Sequence, residues 1–424
     1  MSSFKVSSDS LRSTIQWGAV LIVAIMPFHA FLSVWLGSLF GHQAAWQSWK
    51  ELLTLILVSL TVWYVYKNPG VLQRWRQPLW YAVAGFVAIA TLVTLAAWPG
   101  ATAAVFGAKT DLEPLVVAAI AAVVADPKLV QRLVKVLLAT SAIVVTLALL
   151  QVYILPKEFL SGFGYSSSTI TPYMLVDPAL PAIRAFATLG GALQLGSFLL
   201  LPLALVAALM IRQFRWWQPI MLLATGMALW HTHSRAAWIG AIVAIGVIVI
   251  LRLPSRWRLP SALIGIVTAA IGLNILISLS SSSSTLQYYL FHGSIKATGY
   301  QTSTELHGLA IQTGQQELLR QPLGQGLGTA GPASYHTDRP LIPESQYLQI
   351  GIETGFVGLA LFLIIQIILA LQLLKRHEHS PLATALVSSL AGIAVLNLAL
   401  HGWADSSTAL VYWAMAGAYI GAES

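Results

Sequence analysis

The sequence predicts an all-α polytopic membrane protein with about 12 transmembrane helices and a large loop on one face. Two observations carry this prediction: 57% of the 424 residues are hydrophobic, and only 9% are charged. A soluble domain carries roughly 25% charged residues, so this chain has too few to cover a surface in water. A soluble enzyme, a disordered chain and a coiled coil are therefore excluded. Segments of alternating polar and apolar residues, which a β-barrel needs, do not compete with the helical pattern.

Apolar segments of the length that crosses a bilayer, about 20 residues, recur along the whole chain. We predict twelve of them, at 15–39, 51–66, 79–98, 112–125, 129–154, 187–211, 218–232, 236–251, 261–279, 346–374, 381–401 and 407–421. The first is too long for the core of a signal peptide, so we expect it to remain as a helix. The chain is then a single membrane domain over 1–424. Two loops stand out, at 155–186 and at 280–345, and the second holds a short helix.

The charged residues predict the orientation of the chain. The formal net charge is +8, and 15 of the 23 Lys and Arg lie at the N-terminus or in the connections after even-numbered spans. Basic loops favour the cytoplasm, so we expect both termini inside and the two long loops outside. The basic residues are spread over many loops, whereas a nucleic-acid binder gathers them on one face, so the expected partner is the lipid bilayer and no nucleic acid. The chain has no Cys, so nothing in it depends on redox state.

Two arginines on the predicted outer side are candidates for binding phosphate. Arg235 lies in a very short turn between two apolar spans, where a charge is costly unless it is paired or hydrated. Arg184 lies just before the sixth span. A guanidinium fork suits phosphate oxygens, and helix N-termini favour anions. The alternatives are that Arg235 reaches the interface beside Trp238 and that Arg184 is an ordinary loop residue.

The end of the second long loop holds further candidates for catalysis or substrate binding: Tyr335, His336, Arg339, Glu344, Gln346 and Tyr347. A partly desolvated carboxylate such as Glu344 can act as a general base. The alternative is that Glu344 is an acid at a helix N-terminus and that the upstream residues are only solvated.

The remaining motifs exclude two kinds of site. Gly324, Gly326 and Gly328 are followed by no Gly-Lys-Ser/Thr, so we expect a tight turn that docks the loop on the membrane domain and not a phosphate-binding loop. The chain has no Asp-x-Asp and no His-Glu-x-x-His motif. We therefore expect no metal and no cofactor, and any bound phosphate would be held by arginines.

Four stretches together resemble the O-antigen ligase and O-antigen polymerase superfamily. Ser234-Arg235-Ala236-Ala237-Trp238-Ile239-Gly240 is similar to its Ser-Arg-Gly/Ala-Ala-Trp/Phe-Leu-Gly motif, and Arg184-Ala185-Phe186-Ala187-Thr188-Leu189 to its Arg-x-x-Gly-Thr-Phe segment. Pro322-Leu323-Gly324-Gln325-Gly326-Leu327-Gly328 resembles its Pro-x-x-Gly-x-Gly-x-Gly turn. Glu344-Ser345-Gln346-Tyr347-Leu348-Gln349, followed by Glu353-Thr354-Gly355-Phe356-Val357-Gly358-Leu359, resembles its His-Asn-x-Tyr-Leu-Gln and Glu-x-Gly-x-x-Gly stretch. The resemblance covers roughly 180–375.

The resemblance implies a metal-independent, inverting, GT-C-like glycosyltransferase of the bacterial inner membrane. Such enzymes take a glycan from an undecaprenyl-diphosphate carrier on the outer face and pass it to lipid A–core, to another carrier-linked repeat or to a protein. By this resemblance Arg184 and Arg235 bind the diphosphate, Glu344 or His336 is the base, and Tyr335, Arg339, Gln346 and Tyr347 contact substrate.

The sequence departs from the family pattern at two positions. Family ligases carry a His where this chain has Glu344, and Ala187 stands where a Gly is usual. The choice between ligase, polymerase and protein glycosylation therefore stays open, as does the choice between Glu344 and His336. A lipid-linked oligosaccharide flippase and a peptidoglycan polymerase are the rival functions. The chain lacks the similarity between its halves that many transporters show.

Overall fold

The computed structural model describes residues 7–177, 180–282 and 303–423, which form a bundle of helices and one small β-hairpin. The helices are α1 Ser8–Ile25, α2 His29–Phe40, α3 Gln43–Gln47, α4 Trp49–Lys67, α5 Pro78–Ala97, α6 Ala101–Asp111, α7 Glu113–Val124, α8 Pro127–Tyr153, α9 Ala192–Arg212, α10 Trp217–His231, α11 Arg235–Arg252, α12 Ser255–Ser282, α13 Ser303–Arg320, α14 Gln346–Leu374, α15 Pro381–Leu396 and α16 Ser406–Ala422. Short 3-10 helices cover Met26–Phe28, Pro69–Trp75, Lys157–Phe163 and Gly331–His336. The hairpin pairs β1 Met174–Asp177 with β2 Leu180–Arg184 in antiparallel orientation.

Each of the twelve predicted apolar segments coincides with a helix, so the all-α prediction is confirmed apart from the hairpin. Within the described residues, seven helical segments are long and apolar enough to cross a membrane, and α7 and α15 are shorter apolar helices. The total of twelve spans remains a prediction. The sixth span begins at Ala192 and not near residue 187. The chain from Ala187 to Gly191 instead forms a turn, in which Ala187 has a φ of +51°.

The first predicted span is bent between α1 and α2. Pro27 lies in the 3-10 turn Met26–Phe28, and a proline inside a helix removes a backbone hydrogen bond. Phe31 N donates to the Thr188 carbonyl at 3.2 Å, and the Pro27 carbonyl accepts from the Thr188 hydroxyl at 2.7 Å. Ser407 Oγ donates to the Met26 carbonyl at 3.0 Å. The bend therefore holds the starts of α9 and α16 together.

Ion pairs join several of the predicted basic connections to one another. Arg12 contacts Asp126 at 3.1 Å, and Arg258 contacts Glu378 at 3.1 Å. We call this the basic end. The opposite end carries the hairpin, α13 and the 322–343 segment, and we call it the loop end.

The short helix α7 ends inside the bundle, and basic side chains satisfy its last carbonyls. Arg74 donates to the carbonyls of Val123 and Ala125, both at 2.8 Å, and Arg12 donates to Val124 and Ala125. In a membrane these carbonyls have no water to bond, so protein donors must replace it. A helix of only 12 residues is thereby accommodated in the core.

Close packing of α7 against α16 depends on two glycines one helical turn apart. Gly417 and Gly421 lie so close to α7 that a Cβ on either would collide with the backbone carbonyl of Ala118 or Ala122. Small residues at this spacing let two helix backbones approach, which is the main source of helix association in lipid.

We expect Gly417→Leu to lower the thermal unfolding midpoint of the purified protein in detergent, because the new side chain must push α16 away from α7. Overpacking of this kind costs about 1–3 kcal/mol. The matched control is Gly246→Leu on α11, where a Cβ meets no atom within 4 Å. Equal midpoints for the two variants would show that this contact does not hold the bundle.

Candidate functional site

Arg184 and Arg235 come together at the loop end. Arg184 ends β2, Arg235 begins α11, and each is half-buried. Arg184 Nε donates to the Thr232 carbonyl at 2.9 Å, which fixes the guanidinium plane without using its terminal amino groups. Burial lowers the pKa of Arg184 and the positive charge of Arg235 lowers it further, but arginine remains charged at neutral pH. Two like charges therefore lie close enough to act on each other at the loop end.

The position of Arg184 depends on a network of hydrogen bonds around the end of β2. Ala185 N donates to the His231 carbonyl at 2.7 Å, and His231 Nε2 lies 2.6 Å from the Tyr153 hydroxyl. Gln151 Oε1 accepts from Phe186 N and Ala187 N, at 3.0 and 2.9 Å. The end of α8 and the end of α10 thus clamp the segment that follows Arg184.

An apolar groove of about 450 Å³ opens beside this clamp. Gln151, Ala187 and Thr188 form its edge nearest the arginines, and Lys157 contributes its one charged side chain. The rest of its lining is aromatic or aliphatic: Phe28, Phe31, Leu32, Leu147, Leu155, Pro156, Phe159, Leu160, Phe163 and Pro172. The groove is continuous with the two amides that Gln151 holds, so an apolar ligand in it could extend a polar head toward Arg184.

The predicted glycine turn is confirmed, and it docks on a break in α14. Gly324, Gly326 and Gly328 have φ values of +94°, +94° and +85°, which favour glycine. Helix α14 is interrupted at Gly355, whose φ is +70°. Across the break, Gln325 N and Gly326 N donate to the carbonyls of Ile352 and Glu353, at 2.9 Å each, and Phe356 N donates to the Pro322 carbonyl at 3.0 Å. The turn thereby supplies the hydrogen bonds that the broken helix cannot make.

Glu353 is buried where the glycine turn packs against α14. Its Oε1 accepts from Gly328 N at 2.8 Å and from Ala330 N at 3.3 Å, and the residue has no exposed surface. Asp111, at the end of α6, hydrogen-bonds the Glu353 carboxyl and accepts from Gln349 Nε2 at 3.2 Å. Burial raises the pKa of Asp111 to about 6. Burial therefore favours the protonated form of the Asp111 carboxyl.

We expect Glu353→Ala to loosen the 322–343 segment, because the buried N–H groups of Gly328 and Ala330 would lose their acceptor. Each unsatisfied group costs about 1–3 kcal/mol. The measurements are the thermal midpoint and the rate of limited proteolysis within this segment. Glu353→Gln keeps an acceptor oxygen at the same place and is the matched control. If both variants resist the protease as well as the parent protein, the carboxyl does not anchor the turn.

Glu344 lines a cavity of about 400 Å³ at the loop end, whose lining mixes polar side chains with apolar ones such as Leu193, Ile342 and Leu400. His29, Gln194, His401 and Asp405 face the same cavity, from α2, α9 and the segment before α16. Glu344 Oε2 lies 3.5 Å from Nδ1 of His307 on α13. The hydrogen bond from His307 lowers the pKa of Glu344, and burial opposes it. Burial lowers the pKa of His401 to about 4 and raises that of Asp405 to about 6.

The first turns of α9 separate this cavity from the arginine pair. Leu193, Gln194 and Ser197 line the cavity with Glu344. Gly196 faces α11, where a Cβ would meet Ala237, two residues after Arg235. The two predicted halves of the site therefore flank one helix end.

Other predicted site residues lie elsewhere. Gln346 is completely buried, and its backbone N donates to the carbonyls of Asn397 and Leu400. The Tyr347 hydroxyl donates to the Ala394 carbonyl at 2.9 Å. The structure thus gives both residues contacts between α14 and the end of α15, and neither lines the Glu344 cavity.

His336, Arg339 and Tyr335 are exposed and do not meet Glu344 in the described structure. His336 stacks on Phe106 with ring centroids 3.7 Å apart, and with Arg339 it lines a separate polar cavity of about 370 Å³. Tyr335 is 70% exposed. Of the two predicted bases, Glu344 alone faces the cavity beside α9.

Several residues of these clusters, among them His307, Asp111 and His401, were not predicted as site residues from the sequence. His307 and Asp111 are polar residues in helices, with no neighbouring motif. Glu353 was also not predicted as a site residue, although it lies in a motif that the resemblance includes.

Residues 219–363, about a third of the chain, match the family model described as O-antigen ligase. These residues form an O-antigen ligase domain. The resemblance noted in the sequence is therefore confirmed for this segment. The O-antigen ligase domain runs from α10 into α14 and contains Arg235, the glycine turn, Glu344 and Glu353. Arg184 lies outside it and is brought to it by β2. A comparison with curated proteins finds no match for the chain.

Proposed function

We propose that the protein is a glycosyltransferase that moves a glycan from an undecaprenyl-diphosphate carrier to an acceptor hydroxyl. The observation that carries this proposal is the adjacency of Arg184 and Arg235 beside an apolar groove, at the edge of an O-antigen ligase domain. We also propose that the loop end faces outward from a bacterial inner membrane, with both termini in the cytoplasm, because basic loops favour the cytoplasm.

The arginine pair would bind the diphosphate and stabilise the leaving group. In the reaction the acceptor oxygen attacks the anomeric carbon from the face opposite the diphosphate, so the configuration inverts. The carbon–oxygen bond to the diphosphate breaks, and its electrons leave with the phosphate oxygen. Guanidinium groups already in position for that charge lower the barrier without reorganising. Their charge is the reason no metal is expected.

The apolar groove beside Gln151 supports a lipid-linked donor. A polyprenyl chain is long, branched and apolar, and aromatic and aliphatic side chains such as Phe31, Phe159 and Leu147 suit it. Because Ala187 and Thr188 line the groove and Arg184 precedes them by only a few residues, the head of such a lipid would meet the arginines.

The polar cavity at Glu344 supports an acceptor site on the other side of the α9 start. Carboxyl, imidazole, amide and hydroxyl groups line it, and these are the groups that hydrogen-bond sugar hydroxyls. The second polar cavity, at His336 and Arg339, would hold sugars farther from the reacting carbon. Tyr335 would remain at its rim, whereas Gln346 and Tyr347 would support the acceptor site through packing.

We expect Arg184→Ala and Arg235→Ala each to lower the rate of transfer roughly 10²–10³-fold, the usual loss when one preorganised donor to a developing charge is removed. The measurement is glycan transfer by protein in lipid nanodiscs with a polyprenyl-diphosphate donor. Arg184→Lys should fall between Arg184→Ala and the parent, because it keeps the charge but loses the planar fork.

Arg215→Ala is the control for these variants, because Arg215 is exposed at the basic end and distant from either cavity. Transfer that survives in both Arg184→Ala and Arg235→Ala would rule out the diphosphate role.

We expect transfer to continue undiminished in EDTA, because guanidinium groups carry the charge stabilisation. A loss of activity in EDTA that added Mg²⁺ restores would contradict this part of the proposal.

The acceptor class is read from surface glycans after gene deletion. A ligase loses all long chains on one acceptor, and a polymerase leaves single repeat units.

A further inference from the structure

The Glu344 backbone is held in an unusual conformation that aims its side chain at α13. Its φ is +49°, in the left-handed region that residues other than glycine rarely adopt. Strain of this kind collects at functional sites, where surrounding contacts maintain it. Here the contact is with His307, whose Nδ1 lies 3.5 Å from Glu344 Oε2. Catalytic hydrogen bonds are often long until substrate binds.

Glu344 is poorly suited to take a proton from a sugar hydroxyl by itself. Its pKa is lowered, first by the hydrogen bond from His307, so the carboxylate is a weaker base than an ordinary glutamate. A general base works best when its pKa is near the working pH, and imidazole is the side chain that meets this condition without perturbation. A carboxylate that accepts from the other ring nitrogen orients such an imidazole and stabilises its charged form.

We propose that His307 is the catalytic base of this protein and that Glu344 is the positioning residue that holds its imidazole. Nδ1–H of His307 donates to Glu344 Oε2, so Nε2 carries the lone pair. As the acceptor oxygen bonds to the anomeric carbon and the diphosphate leaves with the bonding electrons, the hydroxyl proton passes to Nε2. The imidazolium stays paired with the Glu344 carboxylate and then releases the proton to water. This inference rests on the proposed glycan transfer.

The geometry of His307 suits this role. Its side chain is 36% exposed and that of Glu344 is 28% exposed, so solvent reaches both groups. Glu344 lines the cavity, and His307 contacts Glu344 from α13. Within the described part of the chain, Nε2 of His307 makes no hydrogen bond, which leaves it open to a hydroxyl.

The other titratable groups that face Glu344 are less suited to the task. His401 is buried, and its pKa is lowered to about 4. Nδ1 of His29 already accepts from Trp49 Nε1 at 2.9 Å, so its lone pair is occupied. Asp405 caps α16 by accepting from Thr408 N and Oγ1 at 2.8 and 2.9 Å. On α13 itself, Glu305 lies two residues before His307, and Glu317 and Arg320 lie about three turns away.

The test is the measurement of kcat and KM for glycan transfer by the full-length protein in nanodiscs. We expect His307→Ala to lose roughly 10²–10⁴-fold in kcat/KM and to regain activity with added imidazole. We expect Glu344→Gln to lower kcat by less than His307→Ala does and to leave the KM of the donor unchanged, because the imidazole remains but is no longer held in place. A role in folding alone would produce neither the rescue nor a loss confined to kcat.

His379→Ala, at an exposed histidine of the basic end, is the matched control and should act as the parent protein does. Activity of His307→Ala within threefold of the parent, or an unchanged kcat in Glu344→Gln, would overturn the inference. The second measurement stands even if His307→Ala does not fold. A parent protein that transfers from no polyprenyl-diphosphate donor would instead overturn the proposed function, so the two failures are distinguishable.

Discussion

The break in α14 imposes the constraint on which the loop end depends. An apolar medium offers no water to an interrupted helix, so the protein itself must supply every missing hydrogen bond. The glycine turn does so at Ile352, Glu353 and Phe356, and the Glu353 carboxyl binds the next two amides of the turn. Only glycine accepts the required φ values at this close approach. The loop is therefore part of the bundle, and Glu344 is held from both sides, by the turn before it and by α14 after it.

The two ends of the bundle use positive charge in different ways. At the basic end, Arg12 and Arg74 donate to the last carbonyls of α7, so their guanidinium groups cap a short helix. At the loop end, Arg184 contacts a carbonyl through Nε alone, and its electrostatic neighbour is another arginine. Arg12 and Arg74 therefore serve the fold, whereas Arg184 and Arg235 belong to the candidate site.

The candidate site is assembled from segments that are far apart in the chain. Arg184 comes from a hairpin outside the O-antigen ligase domain, and Arg235 comes from within it. The start of α9 separates them from Glu344, which His307 reaches from α13 and His401 from the segment before α16. This arrangement puts the arginine pair and the Glu344 cavity on two sides of one helix end, which is the geometry that the proposed in-line displacement needs.

The sequence by itself determined the helices, the sorting of charge between the two ends, the glycine turn and the exceptional position of the two arginines. Each of these follows from local composition, because long apolar runs with few charges must be helical in lipid and a charge within them must lie near an end. The tertiary structure alone decided that β2 carries Arg184 to Arg235, that Gln346 and Tyr347 pack between helices, and that His336 lies in a different cavity from Glu344. It also decided that Glu344 meets His307, 37 positions earlier in the chain. Such pairings depend on which helices pack together, and neither periodicity nor composition records the neighbours of a helix.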